Sequence, residues 1–437
     1  MNIIELIEKK KHCKALSYQE LKYFVDKSVS KELPDYQISA MLMAIWFNKL
    51  QESELLDYTK CLVESGDTVN FKFPGTSVDK HSSGGVGDKV SLIIGPILAS
   101  FGFYVAKMSG RGLAQTGGTI DKMESIPNLK TDLSLEKLKE IVEVDKFAIS
   151  SATLNLVPGD KVIYALRDVT ATVDSIDLIA ASIMSKKLAF NNDIIVLDVK
   201  CGSGSFCKEL ETAKDLAKKM LKIANHFNRK VIIEVTDMNQ PLGNYIGNAL
   251  EIKEVLNCLN GNWSTDLYQL ILSTISELLI TLKLASNKNE VEKMLQKKIS
   301  NKECLNNFYL FVKNQEGDVD YCKKLLSNQK NWDTKYHFTI KAPKKGYFRV
   351  VNCENIGWAS CYLGAGRIKK NDVIDMNAGI IILKKNGNFV NFEEPIFELY
   401  SNKEISQNIL NILYNSFIIE EKSQERPVLI KKIYKNF

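Results

Sequence analysis

Histidine and arginine are scarce in this chain, which has four histidines and six arginines among 437 residues. Lysine therefore carries nearly all of the positive charge, and the net charge is only +6. The sequence also lacks any basic tract interleaved with aromatic residues, a pattern typical of nucleic-acid-binding surfaces. These absences argue against nucleic-acid binding, and we predict no nucleic-acid partner.

Closely spaced cysteines are missing as well. The nine cysteines include no CxxC pair, and only Cys201 and Cys207 lie near each other in the sequence. This spacing excludes the usual zinc motifs and the dense disulfide framework of small secreted domains. We expect reduced thiols and a cytoplasmic location.

No long uninterrupted hydrophobic run occurs. The N-terminal segment MNIIELIEKKKHCK alternates charged and apolar residues, so it lacks the apolar core of a signal peptide. The most apolar later segment, residues 266–285, is interrupted by Gln269, Glu277 and Lys283. It predicts a buried helix rather than a membrane span, and we expect no membrane partner.

The residues that are present divide the chain into regions of different pattern. Residues 1–66 carry apolar residues at three- and four-residue spacing, which predicts helices. From residue 70, β-branched runs alternate with helical stretches and glycine-bearing loops, which predicts a mostly parallel sheet. We predict an α/β fold with an all-helical small domain, a large mostly parallel α/β domain and a C-terminal α+β region.

The C-terminal region, from about residue 336, contains two segments that resemble hairpins. The first is HFTIKAPKKGYFRVV at 337–351, and the second is GIIILKKNGNFVNFEEPIFELY at 379–400. The second is predicted to turn at Asn386-Gly387, a favoured pair for a two-residue turn. No cluster of candidate catalytic groups occurs in this region.

A glycine cluster stands in the segment VDKHSSGGVGDKVS at 78–91, which runs into an apolar stretch. Glycines let backbone N–H groups approach an oxyanion, and a helix predicted to begin near Asp88 directs its positive dipole end toward them. Lys80 adds a full charge, and the serines add hydroxyl donors. The spacing does not fit a Walker A loop. Taken alone, a tight turn explains such a cluster at least as well as an anion site.

A second glycine-rich segment, MSGRGLAQTGGTIDKME at 108–124, follows the predicted strand FYVAKMS. It carries hydroxyls at Ser109, Thr116 and Thr119 and again leads into a helix start. Two strand–loop–helix units within about forty residues can converge on one tetrahedral anion. The two segments together predict an anion site.

A third segment runs from Tyr164 to Lys187. Ser182 and Lys186 are four residues apart, so they share one face of the predicted helix. A lysine near a helix end is commonly a solvated charge that favours the helix dipole. Arg167 has a planar fork suited to bidentate recognition of a carbonyl-bearing or anionic group.

These segments resemble the thymidine and pyrimidine nucleoside phosphorylases. The motifs DKHSSGGVGDKVSL, KMSGRGLAQTGGTIDKMESIP, ALRDVTATVDSI, AASIMSKKLA, IVLDVKCGSGSF and TDMNQPLGNYIGNALEIKE occur in that family's order. The resemblance covers nearly the whole chain. It implies phosphorolysis, in which phosphate attacks the sugar C1′ and a pyrimidine base leaves.

The resemblance also implies roles for individual residues, with a pyrimidine nucleoside as partner and inorganic phosphate as co-substrate. The implied phosphate-binding residues are Lys80, Ser82, Ser91, Lys107, Ser109 and Thr119. The implied pyrimidine-binding residues are Arg167, Ser182 and Lys186. His81 would face the base as hydrogen-bond donor or proton source, since an unperturbed histidine pKa of about 6.5 permits protonation near neutral pH. We therefore expect His81, Arg167 and Lys186 to act in catalysis.

Three domains are implied in the same way. A helical domain would comprise residues 1–66 with about 160–190, an α/β phosphate-binding domain 70–158 and 191–335, and a C-terminal α+β domain 336–437. The helical and α/β domains would face each other across a cleft and close by a hinge during turnover. The family is typically dimeric through its helical domain, so we expect a homodimer.

A potassium site is implied at Gly87, Lys89, Leu242, Tyr245 and Glu254. Lys89 is unusual for a cation ligand because its own side chain is positively charged. We hypothesise that the Lys89 ammonium reaches Glu254 and replaces the potassium ion.

The chain departs from the family pattern at two further places. Ala114-Gln115 stands where Gly-His is common, and Asp177 stands where proline is usual. Neither position has an expected role in the chemistry, so the departures bear on loop geometry more than on activity.

Several functions remain open at this level. The first is a phosphorylase acting on thymidine, deoxyuridine and uridine, and the second is a thymidine phosphorylase selective for 2′-deoxynucleosides. An anthranilate phosphoribosyltransferase would share the architecture but would need a diphosphate loop and acidic residues for magnesium. A catalytically silent nucleoside- or phosphate-binding protein is the alternative outside the enzymes.

Overall fold

The computed structural model describes residues 1–112, 117–151, 155–329, 332, 334–369, 372–424 and 427–437. The helices are α1 (Ile3–Lys11), α2 (Tyr18–Val29), α3 (Asp35–Asn48), α4 (Glu52–Val63), α5 (Val90–Ser100), α6 (Thr119–Glu124), α7 (Leu135–Asp145), α8 (Pro158–Arg167), α9 (Ile176–Ala189), α10 (Leu210–His226), α11 (Asn248–Leu259), α12 (Thr265–Thr281), α13 (Lys288–Ser300), α14 (Glu303–Asn314), α15 (Val319–Leu326), α16 (Cys353–Ser360) and α17 (Gln407–Tyr414). The strands are β1 (Val78–Ser82), β2 (Val105–Ser109), β3 (Phe147–Ser151), β4 (Ile194–Cys201), β5 (Lys230–Asp237), β6 (Tyr245–Gly247), β7 (Tyr336–Lys341), β8 (Gly346–Val350), β9 (Gly379–Ile382), β10 (Phe389–Val390), β11 (Pro395–Ser401), β12 (Phe417–Glu420) and β13 (Ile430–Asn436). A π-helical turn at Cys361–Ala365 follows α16.

The first four helices pack against one another and against α8 and α9. Helix α2 contacts α4 and α8, and α4 contacts α9. Ser17 starts α2 with a capping box, because its hydroxyl accepts from the Glu20 amide while Glu20 accepts from the Ser17 amide. Leu21, Phe24 and Val25 then face the core at helical spacing and are fully buried. This unit is the all-helical small domain of the predicted fold class.

The central sheet has the strand order β1-β4-β5-β13. Strands β1, β4 and β5 are parallel, and β13 pairs antiparallel with β5 at one edge. Strands β2 and β3 form a second parallel pair that lies beside β1. Every residue of β4 is buried, as expected for a strand covered on both faces. The predicted large, mostly parallel α/β domain is confirmed.

This topology places the ends of two strands at the same edge. Parallel strands direct their carboxyl ends the same way, and ligands of α/β proteins bind beyond those ends. Ser82 ends β1 and Ser109 ends β2, so the two glycine-rich segments begin next to each other. The strand FYVAKMS predicted before the second glycine-rich segment is confirmed as β2.

The most apolar segment of the sequence forms α12, which packs on α13 and α5. Most of its residues are buried, including Leu270, Ile271 and Ile275. The prediction of a buried helix at 266–285 is therefore confirmed. Within the described ranges, no helix has both the length and the apolar character that crossing a bilayer demands.

The α+β class predicted for the C-terminal region is confirmed, the first predicted hairpin is wrong, and the second is confirmed only in the antiparallel pairing of its two ends, β9 and β11. Strand β7 pairs with β11, whereas β8 pairs with β10 and β12, so β7 and β8 lie in different sheets. Strand β9 pairs with β6 and β11 rather than with β10. The turn at Asn386-Gly387 binds β8 instead, since Asn386 Oδ1 accepts from Val350 N at 2.7 Å and Gly387 N donates to the Phe348 carbonyl at 2.9 Å. The second segment therefore does not turn back on itself at Asn386-Gly387, and the strands of the region form two sheets packed on one apolar core.

Candidate active site

A cavity of about 420 Å³ opens where the carboxyl ends of β1 and β2 face helices α8 and α9. The loops that follow β1 and β2 form one side, which we call the loop wall, and the two helices form the other, the helix wall. The sequence-predicted residues that line the cavity are His81, Ser82, Ser91, Lys107, Ser109, Thr119, Ser182 and Lys186. In the described part of the chain, Lys80 and Arg167 are buried behind these walls and do not line the cavity.

The first loop of the loop wall enters α5 at Val90, slightly later than the helix start expected near Asp88. Gly84 and Gly87 have φ values of +91° and +75°, in the left-handed region that glycine adopts readily. At Gly87, a Cβ atom would lie 2.6 Å from the carbonyl oxygen of Leu242. The glycines are therefore required by the backbone path that brings Ser82 and Ser91 to one cavity.

The second loop of the loop wall crosses over itself at backbone contact distance. A Cβ atom at Gly118 would lie 2.1 Å from the amide nitrogen of Gly112. This crossing brings the end of β2 close to the start of α6. As a result, Ser109 and Thr119 both face the cavity from opposite arms of the loop.

Lys80 acts from behind the loop wall. Its buried ammonium lies 3.6 Å from Asp198 Oδ2, and Lys200 lies 2.6 Å from the same oxygen. Asp88 lines the cavity nearby. Burial alone would raise the pKa of the Asp88 carboxyl, but Lys80 and Lys200 hold that pKa well below its ordinary value. The charge of Lys80 is thus balanced by carboxylates under the first loop.

His81 is half-buried in the cavity wall and is surrounded by cations. Burial and the ammonium groups of Lys187 and Lys107 place the pKa of His81 well below its ordinary value. The ring is therefore neutral near pH 7. A neutral imidazole keeps one N–H that can donate a hydrogen bond, and the lowered pKa makes protonation of the ring harder than for an ordinary histidine.

Lys107 lines the cavity from β2, and its side chain is buried. It donates to the Lys80 carbonyl and lies 3.8 Å from Asp79, whose other oxygen binds Lys187 at 2.7 Å. Burial lowers the pKa of Lys107 to about 7; Asp79 opposes this shift, while Lys187 and Lys80 add to it. Lys107 is therefore a cavity group whose charge changes near neutral pH.

The helix wall presents Ser182 and Lys186 from one face of α9, as their spacing predicts. Lys186 Nζ donates to Ser182 Oγ at 3.0 Å and also contacts Asp160 of α8. Asp160 is buried, while the Lys186 side chain is 41% exposed. Asp160 therefore aims an ammonium into the cavity while leaving it accessible to a ligand.

The guanidinium group of Arg167 does not face the cavity. Its guanidinium donates to the carbonyl oxygens of Thr172 at 3.3 Å, Val173 at 2.7 Å and Leu178 at 3.2 Å. Val173 lines the cavity, so Arg167 holds the segment that completes the helix wall. The structure thus places Arg167 next to the site, with one N–H of each of its three nitrogens bound to backbone.

Tyr164 lines the helix wall and was not among the sequence-predicted residues. Its ring lies 5.9 Å from Lys186 Nζ and 5.2 Å from the guanidinium carbon of Arg167. The sequence signal was available, because residues three apart on one helix share a face and Tyr164 stands three before Arg167. An aromatic face beside two cations is suited to a flat ring.

The residues implied for potassium do come together, around the Lys89 ammonium. Lys89 Nζ donates to the Leu242 carbonyl at 3.0 Å, the Tyr245 carbonyl at 2.9 Å and Glu254 Oε2 at 2.7 Å. Gly87 approaches the same carbonyl of Leu242. A potassium ion bound by these oxygens would stand where the ammonium stands, so the residue set does not fit the ion.

The two departures from the family pattern have different outcomes. Ala114-Gln115 lies outside the described residues, as does the Thr116 hydroxyl. Asp177, at the start of α9, accepts from the Leu50 amide at 2.9 Å and pairs with Lys219 at 2.8 Å. It therefore ties α9 to both the helical unit and α10.

Three family models match the chain in sequence order. The helical bundle domain of the glycosyl transferase family matches residues 4–66, and the a/b domain of that family matches residues 75–303. The pyrimidine nucleoside phosphorylase C-terminal domain matches residues 347–420. Among solved structures, anthranilate phosphoribosyltransferase from Thermus thermophilus superposes with a TM-score of 0.57 at 13% identity, covering 71% of this chain and 99% of its own. That likeness concerns the fold alone.

Two relatives match over nearly the full length. The pyrimidine-nucleoside phosphorylase of Staphylococcus epidermidis is 44% identical over 437 residues, covering 99% of both chains. The thymidine phosphorylase of Mycoplasmoides pirum is 43% identical over 418 residues, covering 94% of this chain and 98% of its own. Together with the matched C-terminal domain, these identities separate the chain from the phosphoribosyltransferases and confirm the resemblance seen in the motifs. The chain belongs to the pyrimidine-nucleoside phosphorylase family.

Proposed function

We propose that this chain catalyses the reversible phosphorolysis of thymidine, deoxyuridine and uridine to the free base and (deoxy)ribose 1-phosphate. The observation that carries this proposal is the two-sided cavity. Its loop wall offers hydroxyls and an ammonium to an anion, and its helix wall offers donors and an aromatic face to a base. The sugar would lie between the two walls.

The phosphate co-substrate is bound by the loop wall. Hydroxyl donors from both loops converge on it, namely Ser82, Ser91, Ser109 and Thr119. Lys107 supplies a direct charge, and Lys80 strengthens the positive field from behind. Holding the anionic nucleophile beside the sugar removes most of the entropic penalty of a bimolecular attack.

The pyrimidine is bound by the helix wall. Cleavage of the glycosidic bond develops positive charge on the sugar and negative charge on the leaving base. Lys186 and Ser182 donate to the base oxygen on which that negative charge grows, which stabilises the transition state. Neutral His81 donates a further hydrogen bond, Tyr164 packs on the ring, and Arg167 keeps the wall in place. Approach of the two walls by a hinge brings phosphate and C1′ together.

The proposed activity is tested by a phosphate-dependent assay with thymidine, deoxyuridine and uridine side by side. Release of free base from all three supports the proposal. Turnover of the two deoxynucleosides alone identifies a thymidine phosphorylase selective for 2′-deoxynucleosides. Binding without release of base from any of them identifies a silent binding protein and overturns the proposal.

Phosphate binding is expected to be coupled to proton uptake at Lys107. At about pH 8, Lys107 is mostly neutral in the free protein because its pKa is about 7. A bound phosphate dianion favours the ammonium form and raises that pKa, so the complex takes up a proton. The affinity for phosphate consequently falls as the pH rises above about 7.

Calorimetric titration of phosphate in two buffers of different ionisation enthalpy measures this proton uptake. The matched variant is Lys107→Arg, which stays charged at every accessible pH and abolishes the uptake. A wild-type protein that binds phosphate at about pH 8 with no proton exchange contradicts the assignment.

We propose that Lys89 takes the place of a potassium ion, with Gly87, Leu242, Tyr245 and Glu254 as its surroundings. Support comes from the three oxygen acceptors within 3.0 Å of its ammonium. The activity is then independent of potassium at fixed ionic strength. A requirement for potassium contradicts this proposal.

We propose a homodimer formed through the helical domain, comprising residues 1–66 with about 160–190. Ile4 of α1 and Tyr36 and Phe47 of α3 are 57%, 73% and 70% exposed, and α1 packs on α3. Such an apolar surface is typical of a subunit interface. Light scattering tests the proposed dimer, since a dimer has twice the 49.3 kDa mass of one chain.

We also propose a cytoplasmic location, which the nine free thiols support.

A further inference from the structure

The C-terminal region reaches the loop wall through the side chain of Arg367. This residue follows the π-helical turn at Cys361–Ala365, and its Nη1 donates to Asp121 Oδ1 at 2.8 Å. Asp121 lies on α6, two residues after Thr119. The contact therefore joins a segment far along the chain to the helix that starts at the loop wall.

The second oxygen of Asp121 holds the other arm of the loop. Asp121 Oδ2 accepts from the Gly112 amide at 2.6 Å. Gly112 and its neighbours Gly110 and Arg111 line the cavity. A single carboxylate thus fixes the distance between the arm that leaves β2 and the start of α6.

This carboxylate needs a cation because it is buried. Asp121 is only 2% exposed, and an unpaired buried carboxylate is strongly unfavourable. Arg111 lies 3.3 Å from Asp121, but its side chain is 52% exposed and both of its terminal nitrogens bind Glu124 at 2.6 Å. Arg367, with a shorter contact and a less exposed side chain, is the better partner for Asp121.

We propose that Arg367 is a positioning residue for phosphate binding. It keeps the Asp121 carboxylate oriented, and Asp121 in turn keeps the Gly112 arm and Thr119 at the spacing that a bound anion requires. The inference rests on the proposed function, in which the loop wall binds phosphate. The sequence shows no cluster of catalytic groups in the C-terminal region. Through Arg367, this region nevertheless contributes to the binding of phosphate, the nucleophile of the proposed reaction.

The first test compares Arg367→Met with Arg367→Lys. Loss of the charged hydrogen bond is expected to weaken phosphate binding and raise the KM for phosphate by about tenfold. The KM for nucleoside stays unchanged, because the helix wall makes no use of Asp121. Lysine keeps the charge without the planar fork, so it restores part of the affinity.

The matched control is Arg349→Met. Arg349 also lies in the C-terminal region and pairs with Glu420 at 2.9 Å, but it does not reach the described lining of the cavity. It should leave the KM values for both substrates unchanged. This control separates loss of an arginine from loss of the contact to the loop wall.

A second variant tests the same contact even if Arg367→Met does not fold. Asp121→Asn removes the charge that Arg367 neutralises but preserves an oxygen for the Gly112 amide. If the two residues act as one unit, the double variant Arg367→Met with Asp121→Asn binds phosphate no more weakly than either single variant. Additive losses overturn the proposal.

Two further results also overturn the proposal. One is an unchanged affinity for phosphate in Arg367→Met, and the other is an equal loss of nucleoside and phosphate affinity together with a lower Tm. Phosphate affinity is measured by calorimetry on the full chain without nucleoside. A chain that binds phosphate but releases no base therefore fails the proposed function while still testing Arg367.

Discussion

Replacing Lys186 by methionine should lower kcat/KM for nucleoside phosphorolysis by about 10²–10³-fold. Lys186 is the ammonium that the helix wall aims into the cavity, held by Ser182 at 3.0 Å and by buried Asp160. Methionine is an unbranched, flexible side chain of similar size that removes the charge. The leaving pyrimidine then loses the donor that stabilises its developing negative charge, while the loop wall is untouched.

Steady-state kinetics with each substrate varied in turn checks this expectation. The loss should appear in kcat and in the KM for nucleoside, and the affinity for phosphate should stay at the wild-type value. Lys161→Met is the matched control, since Lys161 is an exposed lysine of the adjoining helix α8. Wild-type turnover by Lys186→Met would remove Lys186 from the proposed mechanism.

Replacing Lys89 by methionine should lower the free energy of unfolding by about 3–5 kcal/mol. The Lys89 side chain is fully buried, and its ammonium binds Glu254 and the carbonyls of Leu242 and Tyr245. Methionine fills the space but leaves a buried carboxylate without its partner. Denaturant unfolding followed by circular dichroism measures the change.

Two further variants test whether the Lys89 ammonium takes the place of a potassium ion. Lys384→Met breaks the pair with Glu394 near the surface and should change stability by no more than about 1 kcal/mol. Lys89→Ser leaves a space bounded by carbonyl and carboxylate oxygens, which can take over the hydration shell of a monovalent cation. Potassium should therefore stabilise Lys89→Ser at fixed ionic strength and leave the wild type unchanged. Potassium-dependent stability of the wild type would contradict the replacement.

Much of the fold was readable from residue patterns because those patterns are local. The runs that became β2, β4 and β5 are β-branched and apolar, and the 3.6-residue spacing in 1–66 matches the helices found there. The two glycine-rich segments were identifiable because left-handed backbone and close crossings leave glycine as the residue that fits. Ser182 and Lys186 followed from helix spacing alone.

Strand pairing in the C-terminal region was not readable in this way. An Asn-Gly pair between two apolar runs predicts a hairpin, but pairing is decided by which sheet can cover the apolar faces. Here Asn386 and Gly387 bind β8 from outside, and β9 pairs with β11. The contact between Arg367 and Asp121 was equally invisible, since a separation of 246 residues carries no spacing signal.

Lys80 and His81 show which properties of a residue the sequence determines and which the tertiary structure decides. The sequence by itself determined that two adjacent residues of a strand face opposite sides, and that glycines and a helix start follow them. Only the tertiary structure decided that Lys80 meets Asp198 behind the loop wall and that His81 stands among Lys107 and Lys187. Charge and pKa depend on burial and on neighbours from other strands and helices, so the neutral imidazole of His81 was decided by the assembled fold.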